Sequence, residues 1–196
     1  MCKKITLLLA LFCTLTQYAS HGAPWLEIKP SYFLFSSFPM NKIYNHGGFE
    51  VQGCASVPVC KYLDFYGSIG YQQASGHALG ICEKTNIKMI PVDIGLKPVF
   101  NFCERYYYFF AVGPRYFHFK QHNKSAYVDC SIDGGCFGFF VNTGFNVELK
   151  DCLLLGIFGE YSYEKTAVCS RKSNVYSNGR VQLGGFAFGL SLGYAF

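Results

Sequence analysis

The stretch GFAFGLSLGYAF, Gly185 to Phe196, places Phe186, Phe188, Leu190, Leu192, Tyr194 and Phe196 at alternate positions. Gly185, Ala187, Gly189, Ser191, Gly193 and Ala195 fill the positions between. Successive side chains of a β-strand point to opposite faces, so a strict period of two marks a strand with one large apolar face and one face of small residues. A helix would scatter these six large residues around its circumference.

The same period recurs upstream in residues 26–35, 49–59, 63–72, 90–100, 106–116, 137–149 and 153–164, which makes eight segments. Their connections alternate in length. Residues 60–62, 101–105 and 150–152 are short, whereas 36–48, 73–86, 121–135 and 165–182 are long. That alternation is what an up-and-down barrel with short turns at one end and loops at the other requires.

Two barrels share this pattern. A soluble one buries its apolar face around a ligand, and a membrane one turns that face to lipid. The opposite face is rich in Gly, Ala and Ser, which suit a narrow lumen better than a hydrated exterior. Aromatics gather near the segment ends, with Tyr32, Phe49, Tyr71, Tyr116, Tyr161 and Tyr163 toward the loops and Phe100, Tyr106 and Tyr194 toward the turns. Interfacial girdles have this distribution. The expected fold class is all-β, an eight-stranded antiparallel up-and-down transmembrane β-barrel.

Composition agrees. Of 196 residues, 18% are aromatic and only 15% charged, against about a quarter charged in soluble domains. Residues 1–22 read as a signal peptide, with Lys3 and Lys4 before an apolar run from Ile5 to Leu15, leaving 23–196 as the barrel. Cys13 does not read as a lipidation site, because bulky Phe12 precedes it. Downstream, no apolar run approaches the 18 to 20 residues of a transmembrane helix. Lys and Arg number 17 against 12 acidic residues, an excess too mild to indicate nucleic acid.

The terminal stretch from Leu190 to Phe196 resembles the C-terminal signature that the barrel assembly machinery of Gram-negative outer membranes recognises, with Tyr194 and Phe196 as the assembly signal. With its strand count, the chain resembles the small OmpA/OmpX-type barrels along nearly its whole mature length. That resemblance implies an outer-membrane location with both termini periplasmic, and outer-membrane lipid and lipopolysaccharide as surroundings.

Parity directs Glu27, Lys29, Glu50, Asp64, Asp93, Lys97, Arg115, Glu148 and Glu160 into the lumen. Eight strands leave a lumen just wide enough for side chains to fill, so these charges must pair. An internal salt-bridge plug is the expectation, with an ion or proton path as the alternative. Pro30, Pro91 and Pro114 fall inside strands, where bulges or register shifts are expected.

Arg115-Tyr116-Phe117-His118 resembles part of the motif of outer-membrane lipid A deacylases. Phe119, Lys120 and Gln121 follow where that motif carries a Ser-Asn pair, so the catalytic serine is absent and no enzyme is expected. No residue set calls for a metal or cofactor.

Eight cysteines lie beyond residue 22. Cys60, Cys103 and Cys152 occupy the three short turns, Cys82, Cys130, Cys136 and Cys169 lie in or beside long loops, and Cys54 faces the lumen. Adjacent turns are about 9 to 10 Å apart, beyond the roughly 7 Å that a disulfide tolerates. Turn cysteines are therefore placed to link to other envelope proteins, and Cys130 and Cys136 to bridge within their loop. This content departs from most small barrels and resembles the disulfide-cross-linked envelopes of some obligate intracellular bacteria. The last long loop carries Lys165, Arg171, Lys172 and Arg180 with no acidic residue among 165–180, a polyanion-binding expectation.

Overall fold

A computed structural model describes residues 24–44, 46–77, 84–103, 105–124, 129–149, 152–167 and 180–196. The expected signal peptide, residues 1–22, lies outside the described residues. The strands are β1 (Trp25–Phe35), β2 (Gly48–Cys60), β3 (Leu63–His77), β4 (Lys84–Cys103), β5 (Tyr106–Lys124), β6 (Asp129–Glu148), β7 (Leu153–Ala167), β8 (Arg180–Gln182) and β9 (Gly185–Ala195), with one helix, α1 (Phe38–Ile43). Each of β1 to β7 pairs antiparallel with its sequence neighbour, β7 pairs with β9, and β9 returns to β1 with Trp25 opposite Ala195. The short β8 extends the β7 edge above the barrel. The result is a closed eight-stranded antiparallel barrel, and among the described residues no helix is long and apolar enough to cross a membrane.

The barrel is inside out through its middle. Leu26, Ile28, Ile69, Ile94, Ile157, Leu190 and Leu192 are exposed, while Lys29, Glu50, Gln52, Lys97 and Arg115 are buried. Such a surface is stable only in an apolar solvent. Outward aromatics touch across strands at both edges of this band: Tyr116 with Phe137 and Tyr161 with Phe186 at 4.9 Å toward the loops, Tyr106 with Phe145 at 6.0 Å toward the turns.

Beyond the loop-side girdle the pattern inverts. Ala74, Ile87, Met89, Phe117 and Phe119 now point inward and pack with Phe33 and Phe35, while Lys88, His118 and Lys120 point out. The solvent has changed from lipid to water, so the apolar face changes sides. Helix α1 seats Met40 and Tyr44 in this outer cluster, where burial pushes the Tyr44 phenol up and its hydroxyl shares a 3.2 Å hydrogen bond with Thr85.

The strands extend into three segments expected as loops, and of residues 165–182 those up to Ala167 continue β7 while Arg180–Gln182 form β8. Of residues 73–86, those up to His77 continue β3 and those from Lys84 begin β4; of 121–135, those up to Lys124 belong to β5 and those from Asp129 to β6. The interior prolines also behave differently from expectation. Register is unchanged across Pro30, Pro91 and Pro114. Each instead interrupts the ladder on one side: Lys29 and Pro30 lack partners in β9, Ile90 and Pro91 in β3, and Gly113 and Pro114 in β4. A proline lacks only its own donor, and the strand on its other side remains in register. Register shifts occur instead beside the turns, at Pro58/Cys60 and Asn101/Cys103.

Closure against β1 depends on Gly189. A Cβ there would fall on the Pro30 carbonyl oxygen and within 2.8 Å of the Ser31 Cβ. Gly189→Val is expected to cut the yield of refolded barrel severalfold, read as the fraction showing heat-shifted gel migration, whereas Gly159→Val, whose Cβ meets nothing within 4 Å, refolds normally.

Candidate functional site: the occupied lumen

Inward side chains from all eight barrel strands fill the lumen in three layers. At mid-height Arg115 of β5 crosses to two carboxylates. Its Nε and Nη2 donate to Asp93 of β4, and Nη2 also donates to Glu160 of β7. Its guanidinium lies 5.4 Å from the Phe140 ring and 5.5 Å from that of Phe117. A planar fork suits this task, because it satisfies two carboxylates where an ammonium would engage one point.

The carboxylates are themselves held. Ser68 Oγ donates to Asp93 at 2.6 Å, Asn142 Nδ2 to Glu160 at 2.8 Å, and Gln52 Nε2 to Glu160 at 3.1 Å. Gln52 and Gln72 each donate at 2.7 Å to Glu50, which also accepts from Ser31. The second layer lies toward the turns. Lys97 Nζ donates to Glu27 at 2.9 Å and lies 4.5 Å from the Phe109 ring and 4.6 Å from that of Trp25. Asn146 donates to Glu27 at 2.9 Å and accepts from Ser191. Lys29 reaches Glu27 only at 3.8 Å; its ammonium has no hydrogen bond and rests near Phe109, Phe158 and Tyr66. The third layer is the apolar outer cluster under α1.

The structure thus buries Glu27, Lys29, Glu50, Asp64, Asp93, Lys97, Arg115 and Glu160, and leaves Glu148 half-buried beside Tyr107, whose hydroxyl it accepts. Sequence reasoning missed Glu164. It is fully buried at the outer end of β7, and both carboxylate oxygens lack a hydrogen-bond partner among the described residues. Parity with Glu160 was the available signal. Six buried carboxylates therefore face three buried cations.

The cysteines divide into distinct environments. Cys54 is buried in the lumen, where the Tyr66 hydroxyl donates to its sulfur at 3.2 Å, and Cys136 is buried in the outer cluster. Cys60 and Cys152 are exposed and unpaired at the turn end. Cys60 ends β2 at a register shift, and Cys103 ends β4 at another. The Cys130–Cys136 bridge is corrected: both lie on the continuous strand β6, so six residues of extended chain hold them about 20 Å apart, far beyond disulfide reach. Cys82, Cys169, Arg171 and Lys172 lie outside the described residues. Lys165 is exposed with its Nζ 5.2 Å from the Tyr163 ring, and Arg180 begins β8 opposite Ala167. His118 is exposed, with Nε2 3.5 Å from Asp133. Among the described residues, no group of three or more His, Cys, Asp or Glu is placed to hold a metal ion.

An inverted surface, eight closed strands and a filled lumen define a small β-barrel with the fold of the OmpA/OmpX-like outer-membrane barrels. Solved structures share this fold. Neisserial surface protein A (NspA) matches with a TM-score of 0.59 at 12% identity, over 88% of this chain and 97% of its own. Ail, the attachment invasion locus protein of Yersinia pestis, matches at 0.54 and 12%, over 90% and 99%. The N-terminal β-barrel domain of Pseudomonas aeruginosa OprF matches at 0.50 and 8%, over 90% and 98%. No protein-family model and no curated protein matches the sequence.

Lys29 should respond differently from Arg115. Arg115→Leu strands two buried carboxylates and is expected to cost about 3–5 kcal/mol of unfolding free energy. Lys29→Met removes an ammonium with no hydrogen bond and is expected to change stability by less than about 1 kcal/mol. Urea titrations of the refolded barrel, followed by Trp25 fluorescence, measure both.

Proposed function

We propose that the protein is a non-enzymatic integral component of the bacterial outer membrane, with termini and short turns in the periplasm, acting in envelope structure and surface interaction. The observation that carries this reading is the Arg115 crossing. A guanidinium bound to carboxylates on two other strands lies fully buried among the inward side chains at mid-height of the lumen, where an ion path would have to pass. A plug favours rigidity over conductance. For the enzyme reading, His118 has a carboxylate neighbour but the sequence after it offers Phe119 and Lys120 where a serine nucleophile is needed.

Tyr194 and Phe196, at the end of β9, are the proposed signal for the barrel assembly machinery. Outer-membrane lipid and lipopolysaccharide are the proposed surroundings of the girdled wall. The surface role favours anions: Lys165 and Arg180 flank the segment that also carries Arg171 and Lys172. One structure of Ail contains the heparin analogue sucrose octasulfate, at a TM-score of 0.52 and 14% identity over 90% of this chain.

The turn-end cysteines support a covalent role, with Cys60, Cys103 and Cys152 as proposed links to other envelope proteins. Cys152 has φ of 67°, a region that costs a non-glycine residue roughly 1–2 kcal/mol. Glycine would be cheaper there, which fits a role for the exposed thiol itself.

Outer membranes treated with a thiol blocker and run without reductant are expected to give high-mass bands that collapse to one band on reduction. A monomer in both lanes contradicts the covalent role. Cys152→Gly is expected to weaken the bands while raising unfolding free energy by about 1 kcal/mol. In planar bilayers the wild type is expected to show no steady conductance, and an open channel would contradict the plug.

A further inference from the structure

We infer that the outward wall of β3, β4 and β5, just above the loop-side girdle, binds the phosphate groups of the outer-leaflet lipid surrounding the barrel. The inference rests on the outer-membrane placement above and assigns that contact to particular residues.

Register places Gln73, Lys88, Lys120 and Asp133 side by side across β3 to β6. Lys88 and Lys120 are direct cross-strand partners, and both are exposed. Opposed side chains on one face have Cβ atoms about 5 Å apart, and like charges there repel. Neither lysine forms an ion pair among the described residues, and Asp133, the one carboxylate of the row, lies against His118 instead. Two neighbouring ammonium groups, with the carboxylate opposite Lys120 turned to His118, are half of an anion site.

The other half lies one row farther out. His46, Ser75, His77, Lys84, Asn86 and His122 line a cleft of about 660 Å³ together with Gly76 and Thr85. No lining residue is acidic, and His, Ser, Lys and Asn side chains, each bearing N–H or O–H groups, line it alongside Thr85, whose hydroxyl is shared with Tyr44. A phosphate ester needs this combination of positive charge and several N–H or O–H donors.

Placement selects the source. The lysine row lies two residues beyond Tyr71 in β3, about 7 Å along the strand, and four beyond Tyr116 in β5, about 13 Å. It faces sideways from the barrel wall, not upward from the loop tips. An anion at that height and direction is carried by the neighbouring lipid, at the level of its headgroup. Beside this wall, β1 ends at Phe35 and β2 begins at Gly48 near the girdle, so β1 and β2 carry no strand at this height.

The test uses the full mature chain folded in non-ionic detergent, with folding scored by heat-shifted migration. Diphosphoryl lipid A, the same lipid after enzymatic dephosphorylation, and sucrose octasulfate are titrated separately, and retained ligand is read by native mass spectrometry. The wild type is expected to bind the phosphorylated lipid at least about tenfold more tightly than the dephosphorylated one. Lys88→Gln with Lys120→Gln, and separately His77→Ala with Lys84→Ala, are expected to remove most of that difference, whereas Lys61→Gln at a periplasmic turn keeps it. Equal binding of the two lipids, or preference surviving in both double variants, overturns the assignment, as does tighter binding of sucrose octasulfate than of lipid A. A chain that never attains the heat-shifted form contradicts the membrane reading itself, whereas a folded chain indifferent to phosphate contradicts only this site.

Discussion

A peptide group in hydrocarbon finds no water to bond, so every N–H and C=O within the membrane must be satisfied by another strand. The pairing of β1 with β9 is what meets this condition, because it removes both edges of the sheet at once. Much else follows. Closure with eight strands fixes a narrow lumen, the narrow lumen excludes a water column, and without water the inward charges must find one another. The small residues of β9 belong to the same constraint, since Gly189 lets the β1 backbone approach where proline has already taken one donor away.

The lumen solves its electrostatic problem unevenly. Arg115 makes the most ion-pair hydrogen bonds, because a guanidinium distributes donors over two carboxylates from strands far apart in sequence, although its Nη1 has no hydrogen-bond partner among the described residues. Lys97 combines an ion pair with two aromatic faces, and Lys29 depends on aromatic faces and a longer approach to Glu27. A buried ion pair is seldom a large net source of stability, since desolvation offsets much of the Coulomb attraction. The larger energetic consequence is asymmetric, because removing one partner leaves the other charge buried and uncompensated.

Much of the fold was legible because lipid imposes a simple code. Period two, the aromatic girdles and alternating loop lengths gave eight strands and their order, and parity alone turned Arg115 and Asp93 the same way. What parity does not carry is distance across the lumen. That Arg115 reaches Glu160 as well as Asp93 depends on strand tilt and stagger, which no local pattern encodes. The outer strand ends were unreadable for a different reason. At Phe117 and Met89 the apolar side switches inward while the outward side turns polar, so a code written for one solvent breaks off where the solvent changes. Glu164 escaped notice at that same boundary, and α1 has only six residues, too few for helical periodicity to register.

The inversion along β4 and β5 separates a membrane barrel with a water-exposed crown from a soluble barrel of the same topology. Single tryptophans placed at outward positions Val92, Lys88 and Ser75, in a chain carrying Trp25→Phe and reconstituted in bilayers, report depth through quenching by brominated acyl chains. Strong quenching at Val92, little at Lys88 and none at Ser75 is predicted. Equal quenching at all three positions, or none at Val92, would contradict the placement of the lipid boundary and with it the assignment of the charged interior as a lumen.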